Sequence, residues 1–254
     1  MSEKKILVYV VAYNASKHIK SVLELVPCAA LDDYEILVSD DFSSDDTSQI
    51  VAKFISQNPD KKIKLITQQK NLGYGGNQKF GYQYAIDNGF YAAVLLHGDG
   101  QYSPKLIPQM ITPIVEGSAD AMLGSRMINK KSALKGGMPL YKFVGNIILT
   151  KVQNFILRMN LSEYHTGLRA YKTEALSQIP FQHNNNGFSF DTDILIQLID
   201  RKCSIGEIHI PTHYGDEICR VNGMKYAFEI VLATLLSRAQ RLGIYSCEKF
   251  KIIR

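Results

Sequence analysis

Residues 94–104 read Val-Leu-Leu-His-Gly-Asp-Gly-Gln-Tyr-Ser-Pro. An apolar run enters a polar, glycine-flanked cluster, and a proline opens the next segment. The run is expected to be a buried strand, the cluster the loop at its carboxyl end, and Pro104 the first turn of a helix. In an open α/β sheet, ligands sit at the carboxyl ends of the strands. Asp99 is thus a carboxylate held where a ligand would be, and Gly98 and Gly100 take away side-chain bulk on either side of it. One carboxylate beside the oxygen of Gln101 suits a hard divalent cation, and such a cation suits a diphosphate. Asp-Gly is also an ordinary turn pair, so the reading depends on what the rest of the chain places nearby.

Other strand ends carry similar chemistry. Apolar, β-rich runs are expected to form strands at residues 6–12, 35–39, 63–67, 94–96 and 121–124. The first ends at Tyr13 and Asn14, the second at Asp40 and Asp41, the fourth at Asp99 and Gln101, and the fifth at Arg126. Carboxylates after two separate strands exceed what turns require, and Asp40 and Asp41 can accept hydrogen bonds from a base edge and ribose hydroxyls. Residues 71–77, Asn-Leu-Gly-Tyr-Gly-Gly-Asn, form a glycine-rich loop that opens a helix. It has neither the lysine of a phosphate-binding loop nor the spacing of a dinucleotide fingerprint, which disfavours an ATPase and an NAD enzyme.

Strand and helix patterns alternate through the first half, which specifies a parallel, right-handed α/β sheet. In the second half, residues 139–159 form a helix with an apolar face of Tyr141, Val144, Ile148, Val152, Phe155 and Met159, and with Lys142, Asn146, Thr150 and Gln153 opposite. Short strands follow at 168–171 and 205–210, with helices at 191–201 and 224–242. Each long amphipathic helix is expected to cover the sheet, or alternatively to lie at a membrane surface. The organisation expected is one domain over residues 1–215, then a C-terminal loop and amphipathic helix over 216–254.

The 254 residues are ordinary in apolar content and suffice for a sizeable core. Cys28, Cys203, Cys219 and Cys247 form no close pair, which argues against a disulfide framework and fits a reducing compartment. The apolar run at residues 6–13 is too short to span a membrane and has no signal-peptide cleavage site. Net charge is +5, but residues 121–162 hold no acid and seven bases: Arg126, Lys130, Lys131, Lys135, Lys142, Lys151 and Arg158. Such a one-signed stretch attracts phosphates. The absence of a nucleic-acid module makes nucleic acid the least favoured partner.

Taken together, the chain resembles the family 2 glycosyltransferases of the GT-A fold, closest to the dolichol-phosphate mannosyltransferases and bacterial polyprenyl-phosphate sugar transferases. The resemblance is carried, in order, by residues 11–14 (Val-Ala-Tyr-Asn), 38–43 (Val-Ser-Asp-Asp-Phe-Ser), 71–76, 97–101 (His-Gly-Asp-Gly-Gln), 124–126 (Gly-Ser-Arg) and 166–171 (Thr-Gly-Leu-Arg-Ala-Tyr). It implies a mostly parallel central sheet flanked by helices, with a C-terminal helical extension. It implies that Ala12, Tyr13, Asn14, Asp40, Asp41, Gly73 and Asp99 hold a GDP- or UDP-linked sugar. His97, Asp99 and Gln101 would hold a divalent metal, Mn²⁺ or Mg²⁺. Arg126, Lys130 and Arg169, with Arg220 in a closing loop, would face phosphates of donor or acceptor. His97 departs from the family's usual aspartate; imidazole prefers softer ions than Mg²⁺.

The implied reaction is an inverting hexosyl transfer to a polyprenyl phosphate, in cell-envelope polysaccharide synthesis, by a cytoplasmic protein peripheral to the membrane. A metal and an arginine neutralise the charge growing on the leaving diphosphate, and a lipid phosphate needs no general base. A saccharide or protein hydroxyl would need one within reach, for which Asp191 and Asp193 stand at a helix start that they can equally be capping. A third reading is a nucleotide-sugar-binding protein with little catalysis, suggested by His97.

Overall fold

A computed structural model describes residues 4–212 and 222–251. Among them, seven strands form one sheet in the order β3-β2-β1-β4-β6-β5-β7. The strands are β1 (Ile6–Ala12), β2 (Tyr34–Asp40), β3 (Ile63–Thr67), β4 (Ala92–His97), β5 (Ala121–Ser125), β6 (Arg169–Lys172) and β7 (Ile205–His209). The helices between the first strands are α1 (Ile19–Glu24), α2 (Thr47–Gln57), α3 (Tyr74–Asp87) and α4 (Ile107–Val115). The second half adds α5 (Lys130–Lys135), α6 (Leu140–Leu157), α7 (Thr173–Ser177), α8 (Phe190–Asp200) and α9 (Gly223–Arg241). The expected α/β architecture is present.

β1 is continuously apolar because both sheet faces are covered. Alternate residues serve the two sides. Val8, Val10, Val94 and Leu96 join one core with α1, α2 and α4, while Leu7, Tyr9, Leu95 and Leu123 join the other beneath α3 and α8. β1 pairs in parallel with β2 on one side and with β4 on the other. The chain moves outward from β1 to β3, then returns to β4, so the crossover direction reverses there. The crevice this leaves lies at the carboxyl ends of β1 and β4.

β6 runs antiparallel between β4 and β5, pairing Leu95 and Leu123 with Arg169. Its beginning, not its end, therefore lies at the edge where β4 finishes, and residues 162–168 are delivered to the crevice.

The long helix α6 is turned over relative to expectation. It buries Asn146, Thr150, Gln153 and Leu157. Four residues of the expected apolar face look outward, Tyr141 (74% exposed), Val144, Ile148 (55%) and Phe155 (86%). The reason is a buried carboxylate beneath it: Asn146 Nδ2 donates to Glu163 Oε1 at 2.8 Å, and an ionised group there must have donors. α9 packs on α6 and α8 and buries Ile230, Ala233, Thr234 and Ser237, leaving Met224, Phe228 and Leu235 exposed. Asp200 at the end of α8 pairs with Arg238 at 2.9 Å and with Arg241, fastening α9 to the body. The expected boundary after residue 215 lies outside the described residues. No helix among those described is long and apolar enough to cross a membrane.

Candidate active site

β4 delivers Asp99 into the crevice. Gln101 N donates to Asp99 Oδ1 at 3.0 Å, which fixes an exposed carboxylate. Gly100 takes φ +79°, a conformation that favours glycine. Gly98 is a packing residue rather than an opening for a ligand: a Cβ there would come within 2.9 Å of Ile19 Cδ1 and 3.2 Å of Ala12 Cβ. A cleft of about 270 Å³ lies beside Gly100 and Gln101, walled by Ser21, Leu25 and Pro211.

His97 is enclosed by its own chain. Its ring lies 5.7 Å from that of Tyr74 and 5.3 Å from that of Tyr102. Its Nε2 is buried against Gly167, where a Cβ would approach to 2.8 Å. The packing holds the imidazole between two tyrosines, and Nε2 has no hydrogen-bond partner. Among the described residues, no three His, Cys, Asp or Glu side chains gather as a metal cluster.

The carboxylates after β2, expected to meet base and ribose, have partners within the protein. Asp40 is buried, and accepts from Ser43 N at 3.1 Å and from the hydroxyls of Ser43 and Ser48, tying the loop to α2. Asp41 accepts from Leu72 N at 2.7 Å and from Gly73 N at 3.1 Å, anchoring the glycine-rich loop. Burial raises the Asp41 carboxyl above its ordinary value, and the two amides only partly offset it. Gly73 (φ +79°) and Gly75 serve contact with the 185–190 segment: Gly75 N donates to Asn186 O at 2.7 Å, and a Cβ at Gly75 would meet Asn185 O at 2.5 Å.

What remains open at the ends of β1 and β2 is aromatic. Ala12 is buried, and Asn14 is bonded to Ser43 and Ser44. Tyr13 is 43% exposed and Phe42 56%. Tyr13 follows Ala12, and Phe42 lies two residues beyond Asp40, the strand residue paired with Ala12. Residue type and spacing do not single out Phe42; its signal is a non-glycine residue at φ +64°, an uncommon backbone held at a strand end.

On the far side, Arg126 is clasped by Glu163. Glu163 Oε2 accepts from Arg126 N at 2.7 Å, and Oε1 accepts from Nε at 3.0 Å and from Nη2. Arg126 Nη2 also donates to His165 O at 2.7 Å. Burial alone would raise the Glu163 carboxyl, but the charge and hydrogen bonds of Arg126 outweigh it and hold it below the usual glutamate range. Glu163, His165 and Asn146 are functional neighbours that sequence patterns do not flag. Burial pushes the His165 imidazole down to about 4, so it is neutral at pH 7, with Nδ1 3.2 Å from Tyr226 Oη on α9.

Arg169 does not face a phosphate. It is fully buried, and donates to Thr166 O, Asp191 O and Tyr164 O at 2.7–2.9 Å. Its guanidinium knots the 164–169 turn to the start of α8. The two expected bases are likewise enclosed. Asp191 accepts from Tyr74 Oη at 2.7 Å and Gln78 Nε2 at 3.1 Å. Asp193 is buried against Lys249 at 2.6 Å, and burial raises its carboxyl despite that cation. Lys130 is exposed at the start of α5, and Arg220 lies outside the described residues.

The sheet order and its flanking helices form an architecture already seen in a solved enzyme. Glucosyl-3-phosphoglycerate synthase from Mycobacterium tuberculosis, crystallised with Mn²⁺, uridine diphosphate and phosphoglyceric acid, aligns with TM-score 0.65 at 16% identity, covering 96% of this chain and 80% of that one. The fold is that of the GT-A glycosyltransferases. The model of Glycosyl transferase family 2 matches residues 7–179, and the chain belongs to that family. It is a glycosyltransferase. The UDP-N-acetylglucosamine–dolichyl-phosphate N-acetylglucosaminyltransferase of Methanococcus voltae is 29% identical over 247 residues, covering 93% of this chain and 97% of that protein. The polyprenol monophosphomannose synthase of Mycolicibacterium smegmatis is 24% identical over 212 residues, covering 82% and 77%.

Proposed function

We propose that the enzyme transfers a hexose from a nucleoside diphosphate sugar, of the GDP-mannose or UDP-glucose type, to a polyprenyl phosphate with inversion, working at the cytoplasmic membrane face. The observation that carries this is the exposed Asp99 carboxylate at the crevice, in a chain similar along most of its length to relatives named for dolichyl and polyprenol phosphates.

Asp99 and Gln101 fit a divalent ion, Mn²⁺ or Mg²⁺. One Asp99 oxygen is steadied by the Gln101 amide, and hard ions of this kind take one or two protein carboxylates and complete their shell from substrate phosphates and water. Such an ion would supply positive charge against the leaving diphosphate. Tyr13 and Phe42 offer faces on which the base stacks. Lys130 and Lys131, exposed at the start of α5, draw the acceptor phosphate toward the crevice. Arg126 in its Glu163 clasp sets that wall. A lipid phosphate attacks as an anion and needs no base, which agrees with Asp191 and Asp193 both being committed to internal partners. A hydroxyl acceptor would need one of them released.

The test incubates the purified chain with labelled UDP-glucose, UDP-N-acetylglucosamine or GDP-mannose, with Mn²⁺ or Mg²⁺, and with undecaprenyl or dolichyl phosphate in detergent. Saccharides and 3-phosphoglycerate serve as competing acceptors. The expected result is labelled lipid from one donor, abolished by chelator. Label appearing only on a saccharide or on phosphoglycerate overturns the proposal.

A further inference from the structure

The surface of α6 and α9 is built the wrong way round for a protein surrounded only by water. α6 turns Tyr141, Val144, Ile148 and Phe155 to solvent while burying Asn146, Thr150 and Gln153. α9 does the same with Met224, Phe228, Leu232 and Leu235 while burying Thr234 and Ser237. The exposed positions recur at three- and four-residue steps, so each helix presents a single stripe. The two helices pack against each other, and each leaves its stripe on its exposed side. Soluble chains rarely expose adjoining apolar rows of this extent without a partner.

Charge says which partner. Lys130, Lys131, Lys135, Lys151 and Arg158 are exposed on α5 and α6 and around their ends, and residues 121–162 contain no acid. The one acid of α9, Glu229, lies 3.9 Å from Lys225. We propose that this face docks on an anionic lipid bilayer, the apolar stripes entering the headgroup boundary and the lysines meeting lipid phosphates. An apolar stripe edged by cations is the pattern of helices lying in a membrane interface. A second copy of the chain fits poorly, because self-docking would bring two lysine-rich rims together. The surface rests on burial and charge alone and is independent of which acceptor the enzyme uses.

Docking also gives α6 two jobs. Its buried polar face holds Glu163, and through it Arg126, at the crevice. Its outer face meets the bilayer. The wall of the crevice and the membrane contact are thus two sides of one helix.

The experiment is sedimentation of the full chain with phosphatidylcholine vesicles, with and without phosphatidylglycerol. A second protein carries Ile148→Gln, Phe155→Gln, Phe228→Gln and Leu235→Gln, all at exposed positions. The wild type is expected to sediment with phosphatidylglycerol vesicles, more weakly as salt rises. The variant is expected to lose at least about tenfold in bound fraction while its melting temperature holds. A wild type that stays in the supernatant, or a variant that binds equally well, overturns the proposal. So does a wild-type dimer that the four substitutions convert to monomer without any vesicle binding. Failure to transfer sugar to any lipid phosphate, with vesicle binding intact, defeats the acceptor reading and leaves the docking surface in place.

Discussion

Asn146 Nδ2 and Glu163 Oε1 stand 2.8 Å apart under α6, and that bond sets the orientation of the whole helix. Glu163 is fully buried and clasps Arg126 beside the crevice. Thr150 Oγ1 donates to Asn146 Oδ1 at 3.2 Å and backs the arrangement one turn further on. A helix read by its apolar face alone would sit the other way round.

Asn146→Leu, which would improve an ordinary core-facing helix, is therefore expected to destabilise this one. It removes a donor from a buried carboxylate, at a cost of about 1–3 kcal/mol. Phe155→Gln on the outer face should change stability by no more than about 0.5 kcal/mol. Urea unfolding midpoints of the two variants at pH 7 check the contrast.

His165 predicts an acid-side slope. Its folded value is lowered to about 4 from 6.5 because burial disfavours the charged ring. Between those values the unfolded chain binds the proton and the folded chain does not, so this contribution to stability is full above pH 6.5 and lost as pH falls toward 4. The loss from pH 7 to pH 5 is roughly 2 kcal/mol. Unfolding free energies across that range should fall less steeply in His165→Gln than in the wild type.

Asp99→Asn tests the rim of the crevice. The side chain is exposed, so the melting temperature without ligand should be unchanged. Stabilisation by nucleoside diphosphate with Mn²⁺, expected of the wild type, should disappear. Turnover, kcat/KM, should drop on the order of 10²-fold or more, as when a charge-stabilising group is removed.

Tyr13→Ala and Phe42→Ala test the aromatic edge. Stacking of a base on an aromatic ring contributes about 1–3 kcal/mol, so the donor's dissociation constant should rise by the corresponding factor in either variant. Calorimetric titration with UDP and GDP measures it, and an unchanged constant in both variants removes these rings from the donor site.

Two glycines should respond in opposite senses. At Gly75 a methyl group would meet Asn185 O at 2.5 Å and Phe190 Cβ at 2.6 Å, so Gly75→Ala should cost about 1–3 kcal/mol by overpacking. At Gly145 in α6 nothing lies within 4 Å. There Ala should stabilise the helix by up to about 1 kcal/mol. Thermal melts of the pair settle the comparison.

Much of the frame is legible in the sequence because it is written in short-range order. The run at residues 63–67 is strand β3 with the expected bounds, and residues 205–210 differ from β7 by one residue. Strand ends follow from where apolar runs stop, so the chain order alone puts Tyr13 and Asp99 at the crevice. Helix α5 carries no such signal, since Lys-Lys-Ser-Ala-Leu-Lys has too few apolar positions for a period. The direction of β6 is equally hidden, because four residues of strand pattern read the same either way.

The individual charged residues are less legible than the elements. Asp40, Asp41 and Arg169 have the types and strand-end positions of ligand groups, yet each is committed to the protein's own amides, hydroxyls or carbonyls. Their partners lie two to thirty-two residues away in sequence and differ in kind. Composition and spacing set the α/β alternation, the glycosyltransferase resemblance and the exposed aspartate, since all depend on neighbours along the chain. Tertiary structure alone decided which carboxylates stay open and which way α6 faces. A buried charge takes whichever donors the fold brings within about 3 Å, and only the folding of α6 over the segment before β6 brings Asn146 to Glu163.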